Sequence, residues 1–261
     1  MRLAAIIIAA CLAPAAASAQ HAINGTWRFD PATAKISEKP ERFAVKNGVF
    51  TCDTCDPKVR VAADGAFHRV PGHPYWDEIK VHAAAPDRID YSYRKGGKLV
   101  GTTSDAVSAD GATLTTRRWT INNMAAKPIE SATVSTRVGP APAGAHRASG
   151  EWRLRSQTVA TPDATRLTFL VDHGAVTVTE PTGETVVARL GGPFASNKGD
   201  PGGTEYAYAA PSDHVLLERS RRAGKETASG RYTVAPDGRT MTAVFTSKRD
   251  GGVTTVTATK E

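Results

Sequence analysis

The sequence is short of cysteine, of aromatic residues and of long apolar runs, and each shortage closes off a class of protein. Three cysteines in 261 residues cannot frame a disulfide-rich scaffold. After the first twenty residues no apolar stretch reaches even ten, about half of what a helix needs to cross a bilayer, so no transmembrane segment is expected beyond that point. There is no Gly-x-Ser-x-Gly, no His-Glu-x-x-His and no phosphate loop, so no familiar hydrolase, zinc-protease or nucleotide signature is written here. No catalytic residue and no cofactor are assigned. Sustained 3.6-residue periodicity is also missing after the N-terminus, which argues against a helical fold.

What the chain does have begins at its N-terminus. Arg2 precedes an apolar run from Leu3 to Leu12, and Ala17-Ser18-Ala19 follows, the layout of a secretory signal peptide over 1–19 with cleavage near Ala19. Ile8-Ala9-Ala10-Cys11 loosely fits a lipoprotein box, but only eight apolar residues precede Cys11, so a soluble product in the periplasm or secreted medium is expected. Without Arg2 the chain carries 32 basic and 26 acidic side chains, a net charge of +6. That excess favours anionic surroundings such as a cell envelope, yet it is scattered rather than clustered, and nucleic-acid binding gains no support.

The rest of the chain repeats itself. Shifted by about 125–127 residues, Gly25-Thr26-Trp27-Arg28 falls on Gly150-Glu151-Trp152-Arg153, and Phe43 to Gly48 falls on Phe169 to Gly174. Asp110-Gly111 likewise meets Asp237-Gly238. The stretch 140–148, rich in Pro, Gly and Ala, reads as the linker between a first domain over 20–139 and a second over 149–261. Within each half, short alternating runs such as Arg88-Ile89-Asp90-Tyr91-Ser92-Tyr93 lie between turn pairs such as Gly96-Gly97 and Asp64-Gly65. The pattern predicts an all-β chain of two tandem antiparallel up-and-down barrels or meanders.

Gly25-x-Trp27 and Gly150-x-Trp152, each opening a half, resemble the first-strand motif of the lipocalin and fatty-acid-binding superfamily. That resemblance implies an up-and-down barrel around a cavity, with a cation near the last strand lying over the tryptophan. Arg137 is the candidate for the first half and Lys260 for the second. The whole chain also resembles exported bacterial proteins with a duplicated all-β domain, which share the Cys52-x-x-Cys55 and Gly72-x-Pro74-Tyr75 segments. This likeness implies architecture and an envelope location.

Cys52-x2-Cys55-x12-His68-x4-His73 matches a zinc-finger spacing, but Gly65 and Pro71-Gly72 leave no helix to present the histidines, so no metal site is expected. A redox role would also need a helix N-terminus beside the pair, and Asp56-Pro57 follows instead. A structural disulfide between Cys52 and Cys55 is expected. His73-Pro74-Tyr75-Trp76-Asp77-Glu78 gathers rings and charge that the second half, at Gly199-Asp200-Pro201-Gly202-Gly203, lacks. Any working site is therefore expected in the first half, with Tyr91, Tyr93 and Trp119 on the barrel wall and His73, Tyr75 and Trp76 at a mouth.

Three functions compete on this reading. The foremost is a monomeric binding or carrier module for an apolar or amphipathic small molecule, such as a lipophilic ligand. A structural or interaction protein of the envelope, contacting an anionic component and having no ligand cavity, is the second. The third is a hydrolase or isomerase in which His73 acts as a base near Asp77.

Overall fold

The computed structural model describes residues 21–261 except 38 and 122. The expected signal peptide, its cleavage point and Cys11 lie outside the described residues. The described chain is all-β, with one short 3-10 turn at Pro162–Thr165. Among the described residues no helix is long and apolar enough to cross a membrane.

Among the described residues twenty strands follow one another. The first, β1 (Gly25–Ile36), is followed by β2 (Glu41–Lys46), β3 (Val49–Cys52), β4 (Val59–Ala62), β5 (Asp64–Arg69) and β6 (Glu78–Ala85). Next come β7 (Arg88–Lys95), β8 (Lys98–Val107), β9 (Thr113–Thr120) and β10 (Ile129–Val138). The repeat begins with β11 (Gly150–Val159), β12 (Arg166–Asp172), β13 (Ala175–Thr179), β14 (Thr185–Arg189) and β15 (Ala195–Ser196). It ends with β16 (Thr204–Ser212), β17 (Val215–Arg222), β18 (Lys225–Val234), β19 (Thr240–Ser247) and β20 (Val253–Lys260).

These strands form two antiparallel sheets of ten, each curled into a nearly closed barrel, as the alternation and turn pairs predict. The inward positions explain the curl: Phe43, Phe50, Ile79, Val81, Ile89, Tyr91 and Leu114 are buried in one barrel, and Phe169, Val176, Leu216, Tyr232 and Met241 in the other. Tight hairpins sit where positive φ is needed, for example Asn47-Gly48 at φ 51° and 71°. The second barrel is drawn together by paired bonds between Thr185 and Lys198, at 3.0 and 2.8 Å.

The sheets are not divided where the sequence repeat is. In the first barrel the order is β4-β3-β2-β11-β10-β9-β8-β7-β6-β5, and in the second β14-β13-β12-β1-β20-β19-β18-β17-β16-β15. Each half has given its opening strand to the other. The 140–148 stretch, expected to separate two domains, instead joins β10 to β11 within one barrel, so the boundaries 20–139 and 149–261 do not delimit the sheets. The reason is local. Consecutive antiparallel strands joined by a short connection pair with each other, so β10 takes β11 as its neighbour, with Arg137 opposite Trp152. β1 then fills the equivalent slot between β12 and β20, with Trp27 opposite Leu167 and Lys260.

The same exchange re-pairs the cations. The Arg137 guanidinium lies 4.1 Å from the Trp152 ring and donates to the carbonyls of Gly111, Arg147 and Ser149, each at 2.6 Å. Lys260 lies 5.3 Å from the Trp27 ring and donates to the Ala22 carbonyl at 3.1 Å. Each cation lies over a tryptophan, but over that of the opposite half rather than of its own. The two indoles close their barrel ends in the same way, Trp27 donating to Ile23 O at 2.8 Å and Trp152 to Ala148 O at 2.9 Å. Gly150, at φ 149°, has no room for a side chain because the Arg137 guanidinium occupies the position a Cβ would take.

Candidate functional site

The interior of the first barrel is hollow, a cavity of about 890 Å3. Its walls are unlike one another. Phe43, Phe50, Ile79, Tyr91, Tyr93 and Trp76 make an apolar and aromatic side, drawn from β2, β3, β6 and β7 and the loop before β6. Phe50 and Tyr91 meet edge to face at 5.4 Å, and Trp76 and Tyr93 at 5.2 Å.

Facing them, β8 to β11 carry polar groups inward along two adjacent rows fixed by the strand register. One row runs Ile89, Asp105, Thr116, Thr133, Gln157, and the other Tyr91, Thr103, Arg118, Ser131. Thr116 donates to the Asp105 carboxylate at 2.5 Å. Burial pushes the Asp105 carboxyl up to about 6, against the bonds from Thr116 and Tyr91 that favour its charged form. Burial likewise pushes the Tyr93 phenol up to about 12. Arg118 stands exposed on this wall with no ion-pair partner among the described residues.

The same rows in the second barrel read Leu216, Tyr232, Ala243, Val256 and Glu218, Gly230, Phe245, Thr254. Asp105 has become Tyr232, Thr116 has become Ala243, and Arg118 has become Phe245. The Phe245 ring packs over Gly230, where an added Cβ would lie 3.2 Å from it, and meets Tyr232 edge to face at 5.6 Å. Rings therefore occupy the space that is open in the first barrel. The buried carboxyl survives with its partner reversed: Glu218, at the position of Tyr91, accepts from Tyr208 at 3.1 Å and Tyr232 at 2.9 Å. Burial raises its pKa above the ordinary value.

The cavity mouth is rimmed by Asp53, Thr54, Cys55, Asp56 and Lys58 from the loop after β3. Arg249 and Asp250 of the second barrel complete the rim, Arg249 donating to Thr54 O at 3.4 Å. Cys52 and Cys55 form a disulfide across 5.4 Å between their Cα atoms. Glu41 brings an oxygen within 4.8 Å of both sulfurs, but sulfurs bonded to each other are not thiolate ligands. Replacing both cysteines with serine is expected to cost about 1–3 kcal/mol and to leave the fold intact, since so short a loop gains little from closure. The second barrel has Val178 at the Cys52 position and makes the same strand pair without a bond. Chemical melts of the two proteins check this, and an unfolded double variant would refute it.

Of the six side chains picked out by sequence, four line the cavity: His73, Trp76, Tyr91 and Tyr93. His73 stacks on Trp76 at 4.0 Å, and burial, with the nearby Arg222 and Lys95 charges, lowers its pKa to about 4. Asp77 turns its carboxylate to the Gly96 N–H at 3.0 and 3.2 Å, and no bond joins it to His73, which leaves the acid–base pairing of those residues without geometric support. The other two candidates lie elsewhere. Tyr75 points into the second barrel, where Gly202 leaves room for its ring and Arg222 donates to its hydroxyl at 2.9 Å. Trp119 stands on the outer face, because the inward set on β9 is Leu114, Thr116 and Arg118. Sequence reasoning missed Asp105, Thr116, Arg118, Ser131 and Thr133. Compared with known proteins, the chain matches no family model and no curated protein.

Proposed function

We propose that the first barrel is a binding module for an amphipathic small molecule, held between an aromatic wall and a polar one. The observation that carries this reading is the contrast between equivalent rows in the two barrels, polar around open space in one and occupied by the Phe245 and Tyr232 rings in the other. A cavity of several hundred cubic ångströms with one apolar side and a few placed polar groups is the ordinary form of a small-molecule site. An apolar body would lie against Trp76, Tyr93 and Phe50, and a polar end would meet Arg118, Ser131 and Thr133. The leader-like N-terminus and the disulfide support action outside the cytoplasm, in the periplasm or beyond, as a carrier. The filled second barrel favours a structural part for that half: it supplies Arg249 and Asp250 to the rim and grips Tyr75.

Two fluorescent amphiphiles test the reading, anionic 8-anilinonaphthalene-1-sulfonate and neutral N-phenyl-1-naphthylamine. At least one is expected to saturate at one molecule per chain and to quench tryptophan, since Trp76 and Trp152 line the cavity. Arg118→Phe, which installs the second barrel's residue, and Thr133→Phe are each expected to weaken binding at least tenfold while the protein stays folded. Equal binding by wild type and both variants would remove the cavity from consideration.

A further inference from the structure

The displaced Trp119 marks a second feature that the cavity does not explain. On the outer face of the first barrel lies a groove of about 990 Å3, whose lining shares only Tyr91, Thr103, Arg118 and Ser131 with that of the cavity. One outward row along its floor runs Lys80, Ser92, Thr102, Trp119, Glu130, from β6 to β10. Next to it, Asp90, Ser104 and Arg117 stand in register on β7, β8 and β9. Four interstrand steps make this face roughly 19 Å long.

We propose that this groove binds an uncharged glycan chain, with Trp119 as its stacking platform. The C–H face of a sugar ring carries slight positive charge and seats on the negative face of an indole, while hydroxyls and carboxylates at the edges meet the sugar hydroxyls. Trp119 is half-buried, and among the described residues its indole N–H has no hydrogen-bond partner. Around it are side-chain donors and acceptors of both kinds: Lys80 and Arg117 donate, Asp90 and Glu130 accept, and Ser92 and Thr102 do either.

The charges decide against other partners. Three cations, Lys80, Arg117 and Arg118, opposed by three carboxylates, Asp64, Asp90 and Glu130, give no field for a nucleic acid or other polyanion, which would need a basic track. A protein-docking patch would have an apolar centre of several side chains, and here one indole stands alone among polar groups. The second barrel again supplies a contrast, since its equivalent row is Ala207, Arg219, Ser229, Thr246, Val253, with no ring. The groove belongs to the first barrel, as the cavity does, and Trp119 lines the groove and not the cavity.

Affinity electrophoresis of the whole protein through gels containing dextran, laminarin, hydroxyethylcellulose or heparin tests the proposal. Wild type is expected to be retarded by at least one neutral polymer, with Trp119→Ala weakening that retention at least tenfold and Trp119→Tyr restoring part of it. Thr133→Phe, which fills the cavity at a residue outside the groove lining, is expected to leave retention unchanged, so that failure of the cavity reading and failure of this one are distinguishable. Migration unaffected by all three neutral polymers would overturn the proposal. Retention by heparin alone, or retention that survives Trp119→Ala with an unchanged melting temperature, would also overturn it.

Discussion

Trp152→Ala is expected to destabilise the first barrel, although Trp152 belongs by sequence to the second repeat. The indole is 2 % exposed, lies under the Arg137 guanidinium and donates to Ala148 O, all within the sheet that runs from β2 to β11. Truncating a buried tryptophan removes its burial and leaves a cavity, together about 3–5 kcal/mol. Amide exchange should accelerate in β2, β3 and β8 to β10 and stay near wild type in β13 and β16 to β19. Trp27→Ala should give the mirror image, loosening β12, β19 and β20. If each substitution instead loosened the strands of its own repeat, the strand exchange would be wrong.

Replacing Asp105 with Asn is expected to stabilise the protein in alkali and to do little in acid. Burial raises the folded-state pKa to about 6, above the ordinary 3.8, so the folded protein holds this proton more tightly than the unfolded chain does. The favourable contribution of the protonated form is complete below about pH 3.8 and is lost as pH rises through 6. Above pH 7 the wild type keeps a carboxylate that is only 6 % exposed, at a cost of about 3 kcal/mol, and the amide avoids that cost. For a chain of this size the gain is a rise in Tm of roughly 6–12 °C at pH 8. His73 acts in the opposite sense, its lowered pKa adding stability as pH rises from about 4 to 6.5, but it cancels when variant and wild type are compared. Equal changes in Tm at pH 4 and pH 8 would show that Asp105 is ionised freely in the fold.

The strands and their pairing into barrels are legible because the inward apolar positions alternate, as at Ile89 and Tyr91, and because Gly96-Gly97, Asp110-Gly111 and Asp237-Gly238 mark turns; Asp64-Gly65, expected to be another, instead opens β5 at a bulge. The strand exchange is not legible. β1 and β11 carry the same Gly-x-Trp motif, so either could fill either slot, and only the direct connection from β10 to β11 decides between them. The polar wall of the cavity is hidden for another reason. In β8 the successive residues Thr102, Thr103, Ser104 and Asp105 are polar on both faces, and period-two reasoning finds no inside. The same blindness places Trp119 on the wrong side, because an aromatic residue on a β-strand reads as inward. A signal did exist in the repeat itself: Arg118 aligns with Phe245 and Thr116 with Ala243, so the second half shows which positions face in.

The exchanged strands also set the order in which a chain made from its N-terminus can be completed. Every strand of the first barrel is available once residue 159 has been made. β1, made before any of them, has its final neighbours in β12 and β20, and β20 is made after all the other described strands. One edge of the earliest strand must therefore wait until β20 has been made. Its apolar positions Trp27 and Phe29 are open to proteases and holding chaperones for that whole interval. β20 acts as the catch that ends it.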